Sequence, residues 1–145
     1  MALLKLFVSI SASIFLSGCA TSYADSTNPL TGWKGGYWEQ KGPGELIKVG
    51  FGGNKFTANE KVGTYLLYRC AEVAKRENRR YFAFYQSLPA AIADQRSTER
   101  VVTTIAGKPS TYAYILFFDL PAPGLIETDE LLVRLGPEVI GSQPN

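Results

Sequence analysis

Residues 57–78 read TANEKVGTYLLYRCAEVAKREN, and the spacing of their apolar positions decides the fold class. At about 100° per residue, Val62, Leu66, Leu67, Cys70, Val73 and Ala74 fall on one arc, which predicts an amphipathic helix laid against a core. Thr57 and Glu60 have capping-box spacing, so the threonine is expected to cap the helix. Cys70 lies near the middle of the apolar stripe, where a small thiol serves packing. The chain contains no histidine, so a Cys–His nucleophile cannot be assembled from it. The flank of the helix carries Tyr65, Arg69, Glu72 and Arg76. Glu72 has the spacing to pair with Arg69 at i,i+3 and with Arg76 at i,i+4, supporting the helix, and the same residues form a candidate contact surface for a partner. Lys75, Arg76, Arg79 and Arg80 follow at its end, where cations complement the helix dipole. Attraction to anionic lipid headgroups is the second reading of that run.

Outward from the helix the signals are those of strands. Upstream, GGYWEQKGPGELIKVGFGGN (35–54) contains two strand candidates, 37–41 and 45–51, joined by a Gly42-Pro43-Gly44 turn. Alternation directs Ile47, Val49 and Phe51 to the core and Lys48 to solvent. The glycines of 50–54 lack the lysine and hydroxyl of a phosphate loop and the spacing of a dinucleotide fingerprint. They read as a strand-to-helix turn using positive φ.

Downstream, RRYFAFYQS (79–87) is a strand, and RVVTTIAGKPSTYAYILFFDLPAPG (100–124) is two more, joined across 107–110. The nearly unbroken apolar run 112–118 suits a central strand covered on both faces. Residues 88–98 read as a loop with one helical turn, and TDELLVRLGPEVI (128–140) as a short helix capped by Thr128 and ended or bent at Gly136-Pro137. The expected fold is α+β: a two-layer, mainly antiparallel sheet of about five strands, with one long helix and a short C-terminal helix.

Composition bounds the chemistry. The chain has 145 residues, 46% of them hydrophobic, and a formal charge of +2. That suits one globular domain and excludes the strong basic excess of a nucleic-acid binder. Without histidine the commonest acid/base catalyst and metal ligand are missing, and Asp94, Glu99, Asp119, Glu127 and Asp129 are scattered. No catalytic residue, metal site or cofactor is implied.

The amino terminus answers where the protein resides. A lysine at position 5 precedes the short apolar stretch 6–16, the layout of a secretory signal peptide. Leu16-Ser17-Gly18-Cys19 then resembles the bacterial lipobox, which implies cleavage before Cys19 and acylation of its thiol. Residues 1–18 are thus read as a removed lipoprotein signal peptide, 19–31 as the lipidated cysteine with a flexible tether, and 32–145 as a single α+β domain. A tether of about a dozen residues would reach on the order of 20 Å. A competing reading uses Ser22-Tyr23-Ala24 as an ordinary cleavage site and releases a soluble protein beginning at Asp25. Each buried methylene contributes about 0.8 kcal/mol, so two or three acyl chains anchor almost permanently. Trp33, Tyr37 and Trp38 concentrate aromatic surface beyond the tether, either to anchor an interface or to cover an open end of the sheet.

LSGCA (16–20), GFGGNKFTANEKVGTYLLYRCAEVA (50–74) and ELLVRLGP (130–137) together resemble a family of small proteobacterial envelope lipoproteins of unknown function. Its members have an aromatic-rich strand, a glycine-asparagine turn, a threonine-capped helix containing Tyr-x-Leu-x-Arg, and a short terminal helix. Cys70 stands where alanine is expected in them. The resemblance implies a place in the bacterial cell envelope, and Ala20 after Cys19 is similar to lipoproteins sent to the outer membrane, facing the periplasm. The expected function is a non-enzymatic binding or assembly component, held to the membrane through Cys19 and meeting an envelope protein partner. The alternative is a binding module for a lipid or other small apolar or anionic ligand. Trp33, Trp38, Tyr65, Arg69, Glu72 and Arg76 are the candidate interaction surface.

Overall fold

The elements follow in the order β1 (Gly36–Lys41), β2 (Ile47–Gly52), α1 (Asn59–Arg76), β3 (Tyr81–Tyr85), α2 (Leu88–Ile92), β4 (Thr103–Ile105), β5 (Lys108–Phe118), β6 (Ile126–Glu127) and α3 (Thr128–Gly141). The computed structural model describes residues 19–26 and 35–141. The six strands form one sheet of order β1-β2-β5-β3-β6, with β4 paired to β5 and every pairing of these strands antiparallel. The α+β class expected from the sequence is the observed one.

The long apolar strand is central, as read, but it is not covered on both faces: burial alternates along it, with Ala113 and Ile115 in the core and Tyr112 45% exposed on the opposite face. β5 pairs with β2 over Ser110–Ile115 and with β3 over Tyr114–Phe118. Its connection to β4 is tighter than expected. Ala106 (φ 50°) and Gly107 (φ 76°) form a two-residue hairpin turn whose twist matches the flanking strands, and Lys108 already belongs to β5.

One face of the sheet meets the helices. Val49, Phe51, Phe82, Phe84, Ala113 and Ile115 pack against Val62, Leu66, Cys70, Val73 and Ala74 of α1, all fully buried. Leu131 and Val139 bring α3 into the same cluster. Burying each of the larger of these side chains stabilises the fold by about 1.5–3 kcal/mol, which makes this layer the main source of cohesion.

Both helix starts differ from the expectation. α1 is preceded by Ala58 at its N-cap with no side-chain cap, because the Thr57 hydroxyl is used elsewhere: it accepts from the amides of Thr21 and Asn54 and donates to Asn54 Oδ1. Thr128 also does not cap; its hydroxyl donates to the Arg79 carbonyl and ties the start of α3 to the end of α1. α1 ends in a Schellman arrangement with Asn78 at φ 54°, where Arg79 N donates to Ala74 O and Asn78 N to Lys75 O. α3 runs through Gly136-Pro137 to Gly141, longer than expected, since Val139 beyond the proline is drawn into the core. Burial there outweighs the hydrogen bond that proline cannot donate.

Glycines 50, 52 and 53 do not use positive φ. Two of them serve close approach: a Cβ on Gly50 would lie 2.1 Å from the Trp38 ring, and one on Gly53 2.8 Å from Thr57 Cβ.

The tether reading needs correction where the chain is described. Residues 21–26 form a strap docked on the domain. Thr21 is buried, Asp25 bridges to Tyr37 in parallel, Tyr37 N donates to Ala24 O at 2.8 Å, and Ser26 N donates to Tyr37 O at 2.8 Å. The strap thereby pairs the outer edge of β1 at Tyr37, where backbone groups would otherwise be unpaired. Residues 1–18 and 27–34, including the segment read as a signal peptide and Trp33, lie outside the described residues.

Candidate functional site

The strap brings the chain's amino-terminal residues onto a polar hub between β1 and α1. Tyr23 is its first member. Its ring lies 4.9 Å from that of Tyr37, 5.4 Å from Tyr65, 5.5 Å from Tyr68 and 6.3 Å from Phe51, an aromatic cluster whose pairs each add about 0.5–1.5 kcal/mol beyond simple burial. Its hydroxyl donates to Glu72 Oε2. Burial raises the phenol's pKa far above the ordinary range, and the hydrogen bond to Glu72 and its charge add to this, so Tyr23 stays protonated.

Glu72 Oε2 also accepts from Arg69 Nη1 at 2.9 Å, the i,i+3 pair expected from the sequence. The expected i,i+4 partner goes elsewhere. Arg76 Nη2 donates to Glu39 Oε2 at 2.8 Å, because β1 places Glu39 against the helix. Arg69 reaches the same carboxylate, with Nη2 and Nε at 2.6 and 2.9 Å from Oε1, and its guanidinium lies 3.8 Å from the centre of the Tyr37 ring. Glu39 therefore holds two guanidinium groups. Burial opposes its ionisation, but the hydrogen bonds from Arg76 and Arg69 outweigh that and hold the carboxyl below its ordinary value. Arg69 is likewise disfavoured as a cation by burial, yet Glu72 and Glu39 raise its pKa.

Two carboxylates and two guanidiniums thus neutralise one another, and the tyrosine closes the network. Such a constellation holds β1, α1 and the strap in register. A shallow cavity of about 190 Å³ lined by Asp25, Tyr37, Trp38, Glu39, Arg69 and Arg76 opens beside it.

The candidate surface named from the sequence separates. Arg69, Glu72 and Arg76 meet at this hub. Tyr65 is no surface residue: it is 1% exposed, fixed between Phe51 and Tyr23, and the correction follows from the strap landing on it. Trp38 points from the other face of β1, where its ring covers Gly50. Nearby, Lys48 Nζ sits 5.7 Å from the Trp38 ring, 4.3 Å from Tyr112 and 5.6 Å from Tyr114. Tyr112 is 45% exposed, so this face of the sheet presents aromatic surface around one cation.

Cys19 is exposed, and its carbonyl accepts from Asn54 Nδ2 at 2.8 Å. Cys70 is fully buried, and burial above all raises its thiol pKa well beyond the usual range, so it is neither reachable nor ionised. Among the described residues no group of three or more His, Cys, Asp or Glu could hold a metal, and no helix is long and apolar enough to cross a membrane.

The basic run is spoken for. Lys75 pairs with Asp129 at 2.8 Å, Arg76 with Glu39 and Glu77, Arg79 with Asp119 at 2.8 Å, and Arg80 with Glu127 at 3.3 Å. These exposed pairs contribute little individually.

Sequence reasoning missed Thr21, Tyr23, Glu39 and Asn54. A short segment of small polar residues with one tyrosine carries no periodicity, so nothing in it marks a docked strap. Protein-family models, curated proteins and solved structures contain no match to this chain.

Proposed function

We propose that the protein is a bacterial envelope lipoprotein, acylated on Cys19 after removal of residues 1–18, that serves as a non-enzymatic binding or assembly component at the outer membrane, facing the periplasm. Membership of the small envelope lipoprotein family that the sequence resembles is part of this proposal.

The observation that carries it is the position of Tyr23, four residues after the lipobox cysteine and inside the aromatic cluster. Cleavage before Cys19 keeps Thr21 and Tyr23 in the fold. Cleavage before Asp25 would discard both, opening a hole over Phe51 and Tyr65 and leaving Glu72 without its phenol donor. Removing a fully buried aromatic side chain costs about 3–5 kcal/mol, and half-buried Tyr23 carries a part of that, which speaks against the ordinary signal-peptidase site. Exposed Cys19 is open to a modifying enzyme, as acylation requires.

The aromatic face around Trp38, Lys48, Tyr112 and Tyr114 supports a role in binding another envelope protein, since partly exposed tryptophan and tyrosine are the residue types that anchor such contacts. The alternative, a small apolar ligand held between sheet and helix, draws less support because Phe51, Leu66, Cys70, Phe84 and Ile115 fill that space.

The test is metabolic labelling with a fatty acid, together with the intact mass of the purified protein. Wild type should carry acyl chains on an N-terminal cysteine at position 19, and Cys19→Ala should carry none. An unmodified mature chain beginning at Asp25 overturns the proposal.

A further inference from the structure

Resting on the acylation of Cys19 put forward above, we propose that the domain lies directly against the bilayer through one end, formed by Lys55, Phe56 and the β4–β5 hairpin. The partner surface is thus a lipid headgroup layer, met in a fixed orientation.

The acyl-bearing residue has no slack. Its own carbonyl is held by Asn54 Nδ2 at 2.8 Å, and two residues on, the amide of buried Thr21 donates to Thr57 Oγ1 at 2.9 Å. Two residues span at most about 7 Å, against the much longer reach of a free tether. The turn that holds Cys19 is the turn that displays Lys55 and Phe56. Asn54 Oδ1 accepts from Phe56 N at 2.9 Å and from Thr57 Oγ1 at 3.0 Å, which locks the turn in shape.

The hairpin joins the same end of the sheet. Gly53 N donates to Pro109 O at 2.8 Å, which sets β5's beginning, with exposed Lys108, beside the turn. Across the tight turn stands Ile105. Phe56 is 52% exposed and Ile105 69%, two large apolar side chains facing water on the end that carries the anchor. Acyl chains entering the hydrocarbon bring this end to headgroup depth, where aromatic and aliphatic tips enter the boundary and lysine ammoniums meet lipid phosphates. Glu60, exposed in the first turn of α1, is the acidic neighbour.

The orientation also reassigns the attraction to anionic lipid. The ion-paired run Lys75–Arg80 stands at the other end of the 18-residue helix α1, about 27 Å away. Lys55 and Lys108 are the cations placed to meet headgroups.

The experiment uses the full acylated chain in vesicles of phosphatidylethanolamine and phosphatidylglycerol, with an environment-sensitive dye on a single introduced cysteine. Ala58→Cys and Ile105→Cys probe the proposed end, and Glu45→Cys, in the turn at the opposite end of β2, is the control; buried Cys70 does not label. Nitroxide-bearing lipid should quench the dyes at 58 and 105 about threefold more strongly than the dye at 45, the depth expected of a surface pressed into the headgroup boundary. Equal, weak quenching at all three positions in a chain whose mass shows acylated Cys19 overturns the orientation and leaves the lipoprotein reading standing. A mass without acyl chains overturns both.

Discussion

Tyr23 and Glu72, 49 positions apart, meet in a hydrogen bond from phenol to carboxylate that fastens the amino-terminal strap to the long helix. The bond sits at the rim of the aromatic cluster, so the ring and the hydroxyl make separable contributions. Tyr23→Phe keeps the ring and removes the donor, and is expected to lower stability by about 1.5–3 kcal/mol, the range for bonds to charged groups. Tyr23→Ala also removes a half-buried ring from the cluster and should cost more than Tyr23→Phe, toward the lower end of the about 3–5 kcal/mol of a fully buried aromatic. Urea unfolding of the chain beginning at residue 19, with Cys19→Ala to keep it soluble, measures both. Indistinguishable midpoints for Tyr23→Ala and its parent would mean that the strap is not docked.

Gly36 is where the strap is most exposed to damage from a single atom. Its φ is 132°, and a Cβ there would stand 2.2 Å from the Ala24 carbonyl oxygen. Gly36→Ala should therefore lift residues 24–26 off the edge of β1 while the core persists, at a cost of about 1–3 kcal/mol. Limited proteolysis reads this directly. The variant should be cut within the strap much faster than the parent, with the 35–141 body surviving; equal rates would refute the clash.

Acid should weaken the hub through Glu39. Its carboxyl is held below the ordinary value of 4.5, so the folded state binds its proton less readily than the unfolded chain. The stability it supplies is present above that value and is lost as the pH falls through the lower, folded one. Urea midpoints taken from pH 6 downward should fall for the parent and change less for Glu39→Gln, which has no carboxylate to protonate there. Parallel curves would remove Glu39 as the source of the acid sensitivity.

Thiol titration distinguishes the two cysteines. Cys70 is fully buried with its pKa raised, so it should not react with an aromatic disulfide reagent at neutral pH until denaturant opens the core. Under the proposed acylation, Cys19 has no thiol to react. The native membrane-extracted protein should therefore show no fast-reacting thiol, and the unfolded protein one. A fast thiol in the native state would mean either unmodified Cys19 or an accessible Cys70, and Cys70→Ala tells them apart.

The sequence by itself determined what depends on neighbours a few positions apart. The stripe from Val62 to Ala74 made α1 amphipathic and buried Cys70, the alternation at Ile47, Val49 and Phe51 oriented β2, and the unbroken apolar run of β5 marked the central strand. Each is a periodicity that one element imposes on its own residues. Only the tertiary structure decided that Thr57 serves the strap and not the helix, that Arg76 turns to Glu39 and not Glu72, that Tyr65 lies inside, and that Cys19 is seated on the domain. For Thr57 and Arg76 more than one partner lay within reach along the chain, and tertiary packing chose between them; for Tyr65 and Cys19 the docking of the strap decided. No local pattern carries that information, because it arises only when residues tens of positions apart share one desolvated edge.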